Sequence, residues 1–162
     1  MLRQIVIIIF LCTAGVTAVE ANGMSLFKGE QVCIASGFEG RLTFAGKPAS
    51  GARVVRKFNW KDEKGETEEA IADQDGRFSF PTHWDVLRRW LPVQFVAYQD
   101  IFVYYNDKEY QVWGMGKMDK REYSEFGGKK PENFHCELTD EIRRIDLEHE
   151  FVGTNCKWDR TE

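Results

Sequence analysis

The chain is predicted to fold as a mainly all-β protein, a β-sandwich of about seven to eight strands with one short helix. Three observations point there. Apolar and polar residues alternate with a period of two over most of the chain. The alternating runs are separated by clusters of Gly, Asp and Pro. Only the segment after Pro81 changes to helical spacing.

The N-terminus reads differently from the rest. Met1, Leu2 and the cation Arg3 precede an apolar run from Ile5 to Leu11. Small residues follow in Val16-Thr17-Ala18 and Val19-Glu20-Ala21. That order predicts a cleavable signal peptide over residues 1–18, or 1–21 with the later cut. The run is shorter than the ~20 residues that span a bilayer, and no second run of that length follows. Cys12 follows Ile9-Phe10-Leu11 without a small residue, which argues against a lipid-modified cysteine. The expectation is therefore a periplasmic or secreted chain with no stable membrane insertion after cleavage. Residues 24–162 read as one domain, large enough for a core of its own.

The predicted strands run in order. Leu42 and Phe44 point one way, Arg41 and Thr43 the other, and Gly46-Lys47-Pro48 turns the chain. From Gly51 to Trp60 one face carries Ala52, Val54, Arg56, Phe58 and Trp60. Arg56 is the oddity there and must reach an edge or find a partner. Asp62 to Gly65 is a hairpin turn, Thr67 to Ala72 a return strand, and Asp73 to Gly76 a second turn. Phe78 and Phe80 face the core on a strand ended by Pro81. Thr82 then caps a helix in which Trp84, Leu87 and Leu91 share one face, and Pro92 stops it. Val93 to Tyr105 is a strand pair broken near Gln99-Asp100, or one long central strand. Asn106-Asp107 turns into a return strand, Glu109 to Trp113. Gly114 to Pro131 reads as a long polar excursion with a helical turn near Lys120 to Tyr123. Two strands close the chain: Phe134, Cys136 and Leu138 face in, then Ile145, Leu147, His149 and Phe151.

Three of the four cysteines follow the signal segment: Cys33, Cys136 and Cys156. Export places them where disulfides persist. Cys136–Cys156 is favoured, because it ties the C-terminal tail to a strand; Cys33–Cys156 would instead close the two ends of the domain. Either pairing leaves one thiol. No Cys-x-x-Cys or His–Cys constellation makes that thiol catalytic.

The stretch from Phe38 to Val54, with Gly40-Arg41-Leu42, Gly46-Lys47-Pro48-Ala49 and Gly51-Ala52-Arg53-Val54, resembles the opening of transthyretin-like and carboxypeptidase-regulatory-like domains. The later Ala72-Asp73-Gln74-Asp75-Gly76-Arg77-Phe78-Ser79-Phe80 is similar to that superfamily's Thr-Asp-x-x-Gly-x-Phe-x-Phe signature, with Ala72 where Thr is usual. The resemblance covers about Gly37 to Pro81 and implies an Ig-like/transthyretin-like sandwich used for binding, packing or scaffolding. It implies no reaction.

Candidate sites are few. Asp73-x-Asp75-Gly76 reads as a turn whose Asp side chains bond nearby amides, because the further ligands of a calcium loop are not placed there. His83, His135 and His149 have no metal-ligand spacing, so no metal or other cofactor is expected. The net charge of −4 argues against nucleic acid as a partner. Tyr104, Tyr105, Tyr110 and Trp113 flank the Asn106-Asp107 turn and are the candidate contact residues, for a protein or a sugar. An alternative reading packs them beneath the 114–131 excursion. The leading expectation is a non-catalytic binding domain with a protein partner, such as an immunity protein against a secreted toxin. A carbohydrate- or envelope-binding module is the alternative, and a hydrolase ranks last.

Overall fold

In the computed structural model, residues 29–61, 64–88, 94–148 and 150–160 are described. The predicted signal segment, Asp62-Glu63 of the predicted hairpin turn, Leu91 to Val93 and His149 lie outside them. Thirteen strand segments carry the fold: β1 (Glu30–Ala35), β2 (Phe38–Phe44), β3 (Lys47–Pro48), β4 (Arg53–Asn59), β5 (Glu66–Ile71), β6 (Arg77–Phe80), β7 (His83–Leu87), β8 (Ala97–Tyr105), β9 (Lys108–Lys117), β10 (Glu132–Glu137), β11 (Arg143–Asp146), β12 (Phe151–Thr154) and β13 (Cys156–Asp159). The number exceeds the expectation because several segments are only two to four residues long.

Two sheets form the sandwich. One has six strands in the order β11-β12-β9-β8-β4-β5. The other runs β13-β10-β2-β3, with β6 also paired to β2. Within it, β10 and β2 are parallel and the other pairs antiparallel. The inner faces meet in one apolar core: Leu42, Phe78, Phe134 and Trp158 from the smaller sheet, and Val54, Val103, Trp113 and Val152 from the larger. Its centre is aromatic. Trp113 lies 5.3 Å from Phe126 and 5.5 Å from Trp158, and Phe134 stacks on Trp158 at 5.9 Å. Such offset and edge contacts add to the gain from area burial alone.

Two glycines are required by this packing. A Cβ on Gly40 would sit 2.8 Å from the Phe78 ring and 2.9 Å from Phe134. Gly76, at φ +77°, places its Cα so close to β2 that a Cβ would lie 2.3 Å from the Leu42 carbonyl oxygen. Both lie in the stretches that carry the family resemblance.

Several expectations need correction. Residues His83–Leu87 form strand β7, antiparallel to β1, rather than the start of a helix. Trp84 and Leu87 do have helical spacing, but β7 follows the period of two: Trp84 and Val86 are exposed while His83, Asp85 and Leu87 are partly covered. Strand β1 decides the matter. Val32 to Ala35 are all buried and need a strand to pair with. Thr82 caps no helix; its hydroxyl accepts from the Gly37 amide at 2.8 Å and donates to Glu122 at 2.6 Å. Among the described residues the one helical segment is the 3-10 turn Ser124–Phe126. Of the two alternatives for 93–105 the single strand is the one observed, β8 running through Gln99 and Asp100, while β9 runs on through Gly114 and Gly116 to Lys117, shortening the excursion. The last predicted strand is a hairpin of β11 and β12, so Ile145 and Val152 face in while Phe151 is 49% exposed.

Cys136 and Cys156 are directly opposite each other on β10 and β13 and form the disulfide. The bond fastens the C-terminal strand, and with it Trp158, to the sheet. Cys33 is buried and free; burial pushes its thiol up, against the pull of Lys117. Glu137, on β10, holds the β2–β3 turn. Its carboxylate accepts from the Ala45 and Gly46 amides, the Thr43 hydroxyl, and the Thr139 amide and hydroxyl. Burial pushes this carboxyl up, but the bonds from Thr139, Gly46 and Thr43 outweigh it and bring it to about 2.

Two outcomes follow from these ties. The disulfide spans a sequence separation of 20, so replacing both cysteines by Ala lowers unfolding stability by about 3 kcal/mol, read by urea titration. Because the folded-state value of Glu137 lies below the usual 4.5, its contribution is complete above that pH and is lost as pH falls toward 2. Thermal melts between those limits show a pH-dependent loss in the wild type, and Glu137→Gln flattens it.

Candidate functional site

The four predicted contact residues do not share a surface. Trp113 is 1% exposed at the centre of the core, because the β-bulge between Ile101 and Phe102 keeps both Val112 and Trp113 inward. It is removed from the candidate contact residues. Tyr105 and Tyr110 close one end of the core against Phe44, at 5.7 and 6.2 Å. Tyr104 lies on the outer face of the larger sheet beneath the Arg53 guanidinium, 4.1 Å from its ring centre. Tyr104 and Tyr105 border a shallow hollow with Arg53, Asp107 and Lys108; Tyr110 and Trp113 do not.

The deepest charged arrangement is one the sequence reading did not find. Lys117 and Glu125 are both buried, at 0% and 1% exposure, and meet at 2.5 Å. Lys117 continues the inward positions of β9 after Trp113 and Met115. Glu125 comes from the 3-10 turn. Its carboxylate also accepts from the Ser36 amide at 2.8 Å and the Ser36 hydroxyl at 3.0 Å. The Lys117 ammonium donates again to the Arg121 carbonyl at 2.8 Å. On the other side of Ser36, its carbonyl accepts from Arg56 at 2.7 Å. Arg56 also donates to the Pro81 carbonyl and pairs with Glu68. Burial pushes the Arg56 guanidinium down, and Glu68 opposes the shift. This is the partner that Arg56 required. Lys117, Glu125 and Arg56 are each paired within the protein, so the network acts as an internal clamp.

An open cleft of about 780 Å³ lies on the outer face of the smaller sheet. Its lining includes Glu39, Arg41, Arg77, Ser79, Asn133 and His135, with the 63% exposed Ile71 at one side. Arg77 on β6 stands opposite Arg41 on β2; Arg41 stands opposite His135 on β10; His135 stands opposite Lys157 on β13. Four basic side chains thus form one row across four strands. Arg41 Nε donates to the Asp75 carbonyl at 3.0 Å, and Lys157 pairs with Asp140 at 3.1 Å. Thr43 gives its hydroxyl proton to Glu137 at 2.8 Å, so it accepts from His135 Nε2, also at 2.8 Å. The Arg77 guanidinium has no partner among the described residues.

The other candidates are now placed. Asp73 Oδ1 accepts from the Asp75 and Arg77 amides at 2.9 and 2.8 Å, the turn geometry expected of it. His83 packs on Phe58 at 4.6 Å between Glu66 and Glu68. Among the described residues no group of three or more His, Cys, Asp or Glu is arranged to hold a metal ion.

A family described as a domain of unknown function (DUF6795) matches residues 38–141, and the chain belongs to it. The match takes in Arg41, Arg77 and His135, together with Lys117, Glu125 and Arg56 of the clamp. No curated protein and no solved structure gives a match.

The clamp makes a quantitative prediction. Lys117→Met leaves Glu125 buried without its countercharge and costs about 3–5 kcal/mol; Glu125→Leu costs about the same. The double variant recovers most of the loss, because no unpaired charge is left inside. Urea unfolding of the three variants measures this as a double-mutant cycle.

Proposed function

We propose that the protein is an exported, non-catalytic binding domain that recognises a protein partner outside the cytoplasm, and that the cleft on the smaller sheet is its contact site. The observation that carries this reading is the division of the charged groups. The buried Lys117, Glu125 and Arg56 are paired with one another's neighbours inside the protein. Those around the cleft are exposed and are set on a rigid, disulfide-tied sheet. Exposed charges on a preformed surface suit recognition, since they steer encounter and select partners. The Phe38 to Val54 and Ala72 to Phe80 resemblance to transthyretin-like domains supports the same role, and the signal-like order of residues 1–21 supports export. Neutralising a secreted toxin is one concrete form of such a function.

The test is capture. The mature protein, immobilised, is expected to retain one specific protein from its own strain, with the product of a neighbouring gene as first prey. Arg41→Glu with Arg77→Glu abolishes that retention while the melting curve shows a folded protein. If the wild type retains nothing and gives no protection against neighbouring toxins, the reading fails.

A further inference from the structure

The cross-strand row has an energetic cost that the fold does not need. Like charges directly opposite each other on neighbouring strands destabilise a sheet. Here Arg77 and Arg41 stand directly opposite each other on the outer face of the smaller sheet, and His135 and Lys157 continue the row in register. The chain as a whole is acidic, at −4, so the row is not a consequence of composition. The row's outer end is ion-paired, Lys157 with Asp140 at 3.1 Å, but no carboxylate stands in register with Arg41 or Arg77: the register partner of Glu39, one of the cleft's acids, is Ser79. The nearest strong acid on β10, Glu137, is saturated by the β2–β3 turn and Thr139. Arg77 is left without a partner among the described residues, and Arg41 spends only Nε, on a carbonyl. The unused guanidinium edges open on the cleft of about 780 Å³.

Neighbouring strands lie ~4.8 Å apart, so the four side chains span ~14 Å. An extended peptide repeats its same-face side chains every ~7 Å. Two or three carboxylates on alternate positions of such a segment match the row. Arg forks take carboxylates in a bidentate manner, and the neighbouring Glu39 sets a limit on the charge admitted. A phosphate dianion would meet Glu39 as a strong repulsion, whereas singly charged carboxylates spaced by neutral residues would not. Ile71, exposed beside the cleft, offers an apolar contact that a peptide side chain can use and a simple anion cannot.

We propose that the row Arg77, Arg41, His135 and Lys157 binds an acidic, extended segment of the partner protein, its alternate carboxylates paired with the row. This rests on the protein-binding reading above and specifies the chemistry of the surface recognised. The probe is a fluorescein-labelled peptide of alternating glutamate and serine, followed by anisotropy against the mature protein. Binding is expected, weakening steeply as salt is raised. Arg41→Ala with Arg77→Ala is expected to weaken it at least about tenfold, while Lys57→Ala on the other sheet leaves it unchanged. Thermal melts confirm that each variant is folded. Equal affinity in the double variant overturns the proposal, as does tighter binding of inorganic polyphosphate than of the peptide. Partner capture separates the two readings. If the double alanine variant retains the captured partner as well as wild type, the acidic-segment proposal fails and protein binding stands. If peptide binds through the row but no protein is captured, the partner reading fails.

Discussion

The Glu125 carboxylate is the point on which the rest of this fold depends. It is buried, charged and brought in by a loop, and it is tolerable only because three donors meet it. Two of them belong to Ser36 at the end of β1, and the third is Lys117 at the end of β9. Ser36 in turn gives its carbonyl to Arg56 on β4. One carboxylate therefore sets where the first strand, a central strand and the 118–131 loop stand relative to each other. The next residue, Phe126, enters the aromatic core 5.3 Å from both Phe38 and Trp113. The loop is held by a polar anchor and an apolar anchor in succession, and neither can move without exposing the other.

Much of the architecture was legible because period-two alternation survives in β2, β6 and β10, where one face is buried. The Cys136–Cys156 pairing was legible for a related reason, since the tail needed a strand to hold it. The segment after Pro81 misled because Trp84 and Leu87 satisfy helical spacing by coincidence, and the deciding fact, the buried run of β1, lies some fifty residues upstream. Phe151 misled because a hairpin turn between β11 and β12 resets which residues face inward.

The site was legible in one residue only. Arg56 on an apolar face announced an internal partner, and Glu68, Ser36 and Pro81 supply it. Lys117 carried a similar signal, continuing the inward series Trp113, Met115, but it was hidden by the glycines on either side of Met115. The basic row carried none. Its four members are scattered from Arg41 to Lys157, and only the register of β6, β2, β10 and β13 aligns them. The tyrosines drew attention as a cluster in sequence, yet the pleat sends Tyr104 outward and Tyr105 to the core end, and the bulge buries Trp113.

These features divide the molecule by role. The six-stranded sheet and the clamp hold the interior together, and the smaller sheet presents Arg41 and Arg77 on its outer face. The most direct measurement is amide hydrogen exchange of the protein alone and with a protein captured by it. The account predicts protection on β2, β6 and β10, around Arg41, Arg77 and His135. Protection confined to the outer face of the larger sheet, around Tyr98 and Tyr104, would contradict it.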